Sequence, residues 1–125
     1  MWIFFPDGFI SVVADRQDSD TLLLRSRRLD HLQQFCRGIE QLPPELDPVD
    51  SQMVLYRYYE HSNSDYQYRI ILPRRKFKEL FSCHVNRLDY DNFKDSINDD
   101  DFHDCCVEVW RSISVTLEER DRWSK

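Results

Sequence analysis

The sequence predicts an α+β fold: an antiparallel sheet built from two hairpins plus a short strand, covered by three helices, in the order β-β-β-α-β-β-α-α. Three observations carry this. Two pairs of short runs, rich in aromatic and β-branched residues, are each joined by a polar turn, the pattern of a β-hairpin. Other segments repeat their apolar residues at helical spacing. Strands grouped in hairpins, with helices between and after them, pack as an antiparallel sheet covered on one face.

The elements follow in order. Residues 2–5 and 9–14 flank Pro6-Asp7-Gly8, a turn in which proline presets φ and glycine is expected to take a positive φ. A polar turn at 15–20 precedes a short strand, Leu22 to Arg25. Leu29, Leu32, Phe35, Cys36 and Ile39 then recur at helical spacing, with Ser26 placed to cap the start and Gly38 the end, so residues 27–37 read as a helix. The stretch 40–50, "EQLPPELDPVD", is a surface loop by its prolines and acids. Residues 52–59 and 66–72 form the second hairpin around "EHSNSD", with Tyr66, Tyr68, Ile70 and Leu72 on one face of its second strand. Pro73 opens a helix whose apolar stripe is Phe77, Leu80, Phe81, His84 and Leu88. A small helix is expected at 90–97. A long one follows from about 101 to 120, with Phe102, Cys106, Val109, Ile113 and Leu117 on one stripe and Trp110 beside it. Trp2 and Trp110 are both expected in the core.

A length of 125 residues fits one domain spanning 1–125. With 41% hydrophobic and 14% aromatic residues there is material for a core, and a domain of this size buries roughly two-thirds of the surface its unfolded chain exposes. Only two glycines are present, so glycine-rich phosphate loops are absent and no cofactor is implied. No run of apolar residues is long enough to span a membrane. The apolar start lacks a basic leader region, so Cys36, Cys83, Cys105 and Cys106 are expected as reduced thiols in a cytoplasmic protein. The net charge of −6 is uneven: 5 basic and 9 acidic groups over 1–50, 7 and 3 over 51–88, 5 and 11 over 89–125. So acidic a chain is a poor general binder of nucleic acid, because neutralised phosphates supply most of that affinity. The basic middle third leaves a local anion site open.

The densest chemistry lies in "LDYDNFKDSINDDDFHDCC", residues 88–106, with seven aspartates, one histidine and two adjacent cysteines. A calcium loop begun at Asp89 fails: its fifth position is Phe93, its sixth Lys94 rather than glycine, its twelfth Asp100 rather than glutamate. Caps fit better. Asp89 can start the short helix, whose Tyr90, Phe93 and Ile97 face inward. Asp100 or Asp101 can cap the last one, where negative charge meets unpaired N–H groups. Zinc fails on spacing, since adjacent cysteines on a helix point about 100° apart. No metal is therefore expected, and no catalytic set is identified. A Cys–His nucleophile would need tertiary contacts that spacing does not show.

Two features are less bland. Arg74, Arg75, Lys76 and Lys78 occupy a helix first turn, where positive charge opposes the dipole and calls for a compensating anion. That anion is either internal (Glu118, Glu119 and Asp121, if the two long helices pack antiparallel) or external, held at the helix N-terminus. Tyr56, Tyr58 and Tyr68 with Arg57 and Arg69 form a surface set that would suit base stacking, although cross-strand aromatics are also ordinary sheet stabilisers.

The motifs "MWIF…GFISVV", "LLLRSR", "SDYQYRIILP", "DYDNFKDSI" and "VEVW" resemble, in the same order, those of an uncharacterised family of small bacterial proteins. The resemblance covers most of the chain and implies a shared fold; it hands over no activity, cofactor or catalytic residue. The chain departs from the pattern in the 40–50 loop and in the extra acids near 99–101. The expected function is a small cytoplasmic, non-enzymatic interaction or regulatory protein, working through a protein partner or as a homodimer. The alternatives are an anion, nucleotide or nucleic-acid binding module using 74–78 and the tyrosine-rich hairpin, and a small hydrolytic enzyme.

Overall fold

A computed structural model describes residues 1–37, 54–57 and 65–123. Strands β1 (Trp2–Phe5), β2 (Gly8–Ala14) and β3 (Thr21–Ser26) are followed by helix α1 (Leu29–Arg37), strands β4 (Val54–Arg57) and β5 (Tyr68–Pro73), helix α2 (Arg74–Asn86), a 3-10 turn (Lys94–Ser96) and helix α3 (Asp100–Trp123). This is the expected order. The described residues divide into two compact units, Met1–Asp89 and Tyr90–Lys125.

The first unit is a five-stranded antiparallel sheet, ordered β1-β2-β3-β5-β4. Strand alternation sorts it into two faces. Ile10 and Val12 of β2, Leu22 and Leu24 of β3, and Ile70 and Leu72 of β5 are buried on the face that carries α1 and α2. The helices contribute Leu32, Phe35 and Cys36 from α1 and Phe77 and Leu80 from α2. Phe35 is the centre of this core: its ring stacks on Phe77 at 6.0 Å and on His84 at 4.5 Å, and meets Phe5 edge-on at 5.4 Å. His84 is placed by packing and by one polar contact, Nε2 to the Phe35 carbonyl oxygen at 2.7 Å.

Local chemistry departs from expectation at two points. The first hairpin is tight, with Phe5 paired to Gly8, yet no described glycine has a positive φ. Gly8 is needed for a different reason: the ring of His31 on α1 lies where its β-carbon would be. Ser26, expected to cap α1, instead closes the turn before it: its Oγ accepts the N–H of Arg28, one residue ahead of the helix, at 3.2 Å while donating to the Phe9 carbonyl at 3.2 Å. The α1 end at Gly38 and the 40–50 loop lie outside the described residues.

In the second unit the N-terminus of α3 is capped by Asp99, one residue earlier than expected: its Oδ1 accepts the Phe102 N–H at 2.9 Å. Asp89 caps no helix here; a single 3-10 turn replaces the expected one at 90–97, and Asn92 Oδ1 accepts the Asp95 N–H at 3.3 Å. Ile97, Phe102 and Cys106 are buried. Beyond them the α3 stripe emerges. Trp110 is 57% exposed and Trp2 68%, so neither tryptophan is a core residue. Spacing defines which residues share a helix face, but not whether anything covers that face.

Candidate functional site

The basic cluster at 74–78 divides on inspection. Arg74 is an internal clamp. Its backbone N–H donates to the Asp20 carbonyl at 2.6 Å, and its guanidinium donates twice to the Ser19 carbonyl, at 3.2 and 3.0 Å, tying α2 to the β2–β3 turn. Lys76 pairs with Glu79 at 3.2 Å. Arg75 and Lys78 are exposed. Two of the four cations are thus held by groups of the same unit.

The tyrosine–arginine set is also split. Tyr68 packs against the core. Tyr56 and Arg57 stand on β4 as register partners of Arg69 and Tyr68, and Tyr58 lies outside the described residues. Arg69 belongs to the sheet face opposite α1 and α2. There it is the register partner of Arg25, a neighbour that local spacing could not supply. The same face holds Phe9 stacked on Phe4 at 4.7 Å and edge-on to Trp2 at 5.7 Å, and Tyr66 under the Arg25 guanidinium at 4.6 Å.

The aspartate-rich stretch is distributed along α3 and the turn before it. Among the described residues no three His, Cys, Asp or Glu side chains converge as a metal site would require. None of the four cysteines, all of them described, is in a disulfide. Cys106 is buried, and burial, reinforced by neighbouring Cys105, pushes its thiol up to about 11. The resting thiol is therefore the protonated, weakly nucleophilic form at neutral pH. His103 sits 3.8 Å from Asp104 at the surface of α3.

What sequence spacing assigned to the core is instead a surface. Along α3, Val109, Trp110, Ile113 and Leu117 recur at three- and four-residue intervals and are exposed. At the base of this stripe Lys94 places its ammonium 4.2 Å from the Trp110 ring centroid, an attraction that positions the indole without covering it. Glu108–Arg111 at 3.3 Å marks the polar side of the helix. No helix among the described residues is long and apolar enough to cross a membrane. No family model, no curated protein and no solved structure matches this chain.

Proposed function

We propose that this chain is a small, cytoplasmic, non-enzymatic interaction protein that works through protein–protein contacts, with the apolar face of α3 as its contact surface. The observation that carries this reading is the exposed run Val109, Trp110, Ile113, Leu117 on one long helix. Soluble proteins rarely leave contiguous apolar surface of more than a few hundred Å² open to water unless something docks there. Apolar residues at i, i+3 or i+4 and i+7 are the form in which a helix enters a groove or pairs with another helix. A tryptophan on such a stripe is a natural anchor, because aromatic side chains bury a large area for few rotatable bonds. The internal partners of Arg74 and Lys76 favour this reading over an anion site at the start of α2.

The test compares the full chain with a double variant, Ile113→Glu and Leu117→Glu. Both positions are exposed, so the variant should keep its melting temperature. Light scattering gives the mass, and affinity capture with crosslinking gives the partners. The expected result is a dimer, or a defined bound partner, that the double variant loses. Equal mass and equal partners in both proteins would overturn the proposal.

A further inference from the structure

The sheet face opposite α1 and α2 carries a second feature, built entirely within the first unit. Next to the register pair Arg25–Arg69, a cavity of about 700 Å³ opens toward the β2–β3 turn. Its floor is apolar, made by Val13, Leu23 and Ile71 of three neighbouring strands, and its walls bring together Arg16, Arg25 and Arg69. Volumes of roughly 300–1,000 Å³, an apolar lining and a few convergent polar groups are what small-ligand sites share.

Like charges directly opposite each other on neighbouring strands destabilise a sheet. Among the described residues that line the cavity one is a carboxylate, Asp15, and it accepts the Gln17 N–H at 3.0 Å. Arg25 donates through Nη2 to Ser11 Oγ at 2.9 Å and lies over the Tyr66 ring, but its Nε is buried with no hydrogen-bond partner among the described residues. A buried N–H left unpaired costs free energy that a bound acceptor would recover. The turn bearing Arg16 and Gln17 is held in shape by Asp18. That side chain accepts from the Asp20 N–H at 2.9 Å and the Thr21 hydroxyl at 2.9 Å, bonds that hold its carboxyl below the usual range.

We infer that this cavity binds a small organic carboxylate with an apolar body. The carboxylate lies between Arg25 and Arg69, where a planar guanidinium offers paired donors to two oxygens. The apolar body covers Val13, Leu23 and Ile71, and Arg16 closes the rim. An anion placed there is attracted by both guanidinium groups. A bare inorganic anion would satisfy the arginines but leave the floor wet, so the apolar body is part of the recognition.

The test is an amide NMR titration of the isotopically labelled full chain with benzoate, and in parallel with inorganic phosphate. Saturable shifts are expected at residues 13–17, 23–25 and 69–71 with benzoate, and weaker binding with phosphate. Arg25→Gln should weaken benzoate about tenfold, the loss of one charge-assisted hydrogen bond. Arg25→Lys, which keeps the charge without the fork, should also bind more weakly than the parent. If Arg25→Gln does not fold, Arg16→Gln on the exposed rim decides, with a several-fold loss expected. Shifts that do not saturate or that map elsewhere overturn the inference, as does parental affinity in the folded variants. Phosphate bound as tightly as benzoate overturns the ligand class.

Discussion

A β-carbon built on Gly8 would lie 2.5 Å from Cγ and 2.7 Å from Cβ of His31. His31 has no freedom to retreat: it is buried in α1, and its Nδ1 accepts the Phe9 N–H at 3.2 Å. That hydrogen bond fixes the tautomer, because an acceptor Nδ1 carries no proton. The contact therefore joins the first hairpin to α1 through one residue with no side chain and one with a fixed ring. Gly8→Ala should destabilise the protein by about 1–3 kcal/mol, the usual cost of forcing an extra methyl group into packed surroundings. Chemical denaturation of the variant measures it. A change under ~0.5 kcal/mol, the scale of an ordinary surface substitution, would show that His31 can move aside. Proline and glycine between two apolar runs made the hairpin legible. The reason for the glycine was not, because the ring that needs the space belongs to an element some twenty residues further on.

At the scale of elements, strands and helices were legible wherever the apolar period was unambiguous. The alternation of Tyr68, Ile70 and Leu72 and the Pro73 start of α2 (Arg74–Asn86) stand where expected, but the strand runs Tyr68–Pro73 rather than from residue 66, and Tyr66, expected on the same face, lies before it under Arg25. What local pattern does not encode is pairing. Strand β3 meets β5 across α1 and β4, and that register alone brings Arg25 beside Arg69. Period likewise grouped Phe102, Cys106, Val109, Ile113 and Leu117 on one face of α3 without revealing that only the first two are covered. The cap of α3 offers a clean check on the element itself. Asp99 Oδ1 satisfies one of the N–H groups that a helix start leaves unpaired. Asp99→Ala should cost about 1 kcal/mol, seen as a lower melting temperature. Asp100→Ala, one residue later, should cost much less because its carboxylate makes no such bond among the contacts of the described residues. Equal losses in the two variants would mean that charge near the helix dipole, and not the hydrogen bond, sets the stability of this end.

Across the whole molecule, charge follows the division into units. Residues 1–89 carry 12 basic and 13 acidic groups, a net of −1, whereas residues 90–125 carry 5 and 10, a net of −5. The unit that bears the exposed apolar stripe is thus strongly acidic. Acidity around an apolar face keeps it soluble and repels polyanions at a distance. Nucleic-acid affinity comes mostly from cations that release counterions from phosphates, and each such contact adds to the salt dependence. In this chain Arg74 is bonded to a carbonyl and Lys76 to a carboxylate. The remaining arginine cluster, Arg16, Arg25 and Arg69, lines a cavity with an apolar floor rather than a long groove. A short oligonucleotide should therefore bind no tighter than about 10⁻⁶ M at physiological salt, the edge of ordinary non-specific binding. Fluorescence anisotropy with a labelled single strand, repeated across salt concentrations, checks it. Tighter binding with a steep salt slope would mean that the cations of the first unit act together along a backbone, against the −6 of the whole chain. In that case the open sheet face, with Trp2, Phe4 and Phe9 beside its arginines, would be the surface to mutate first.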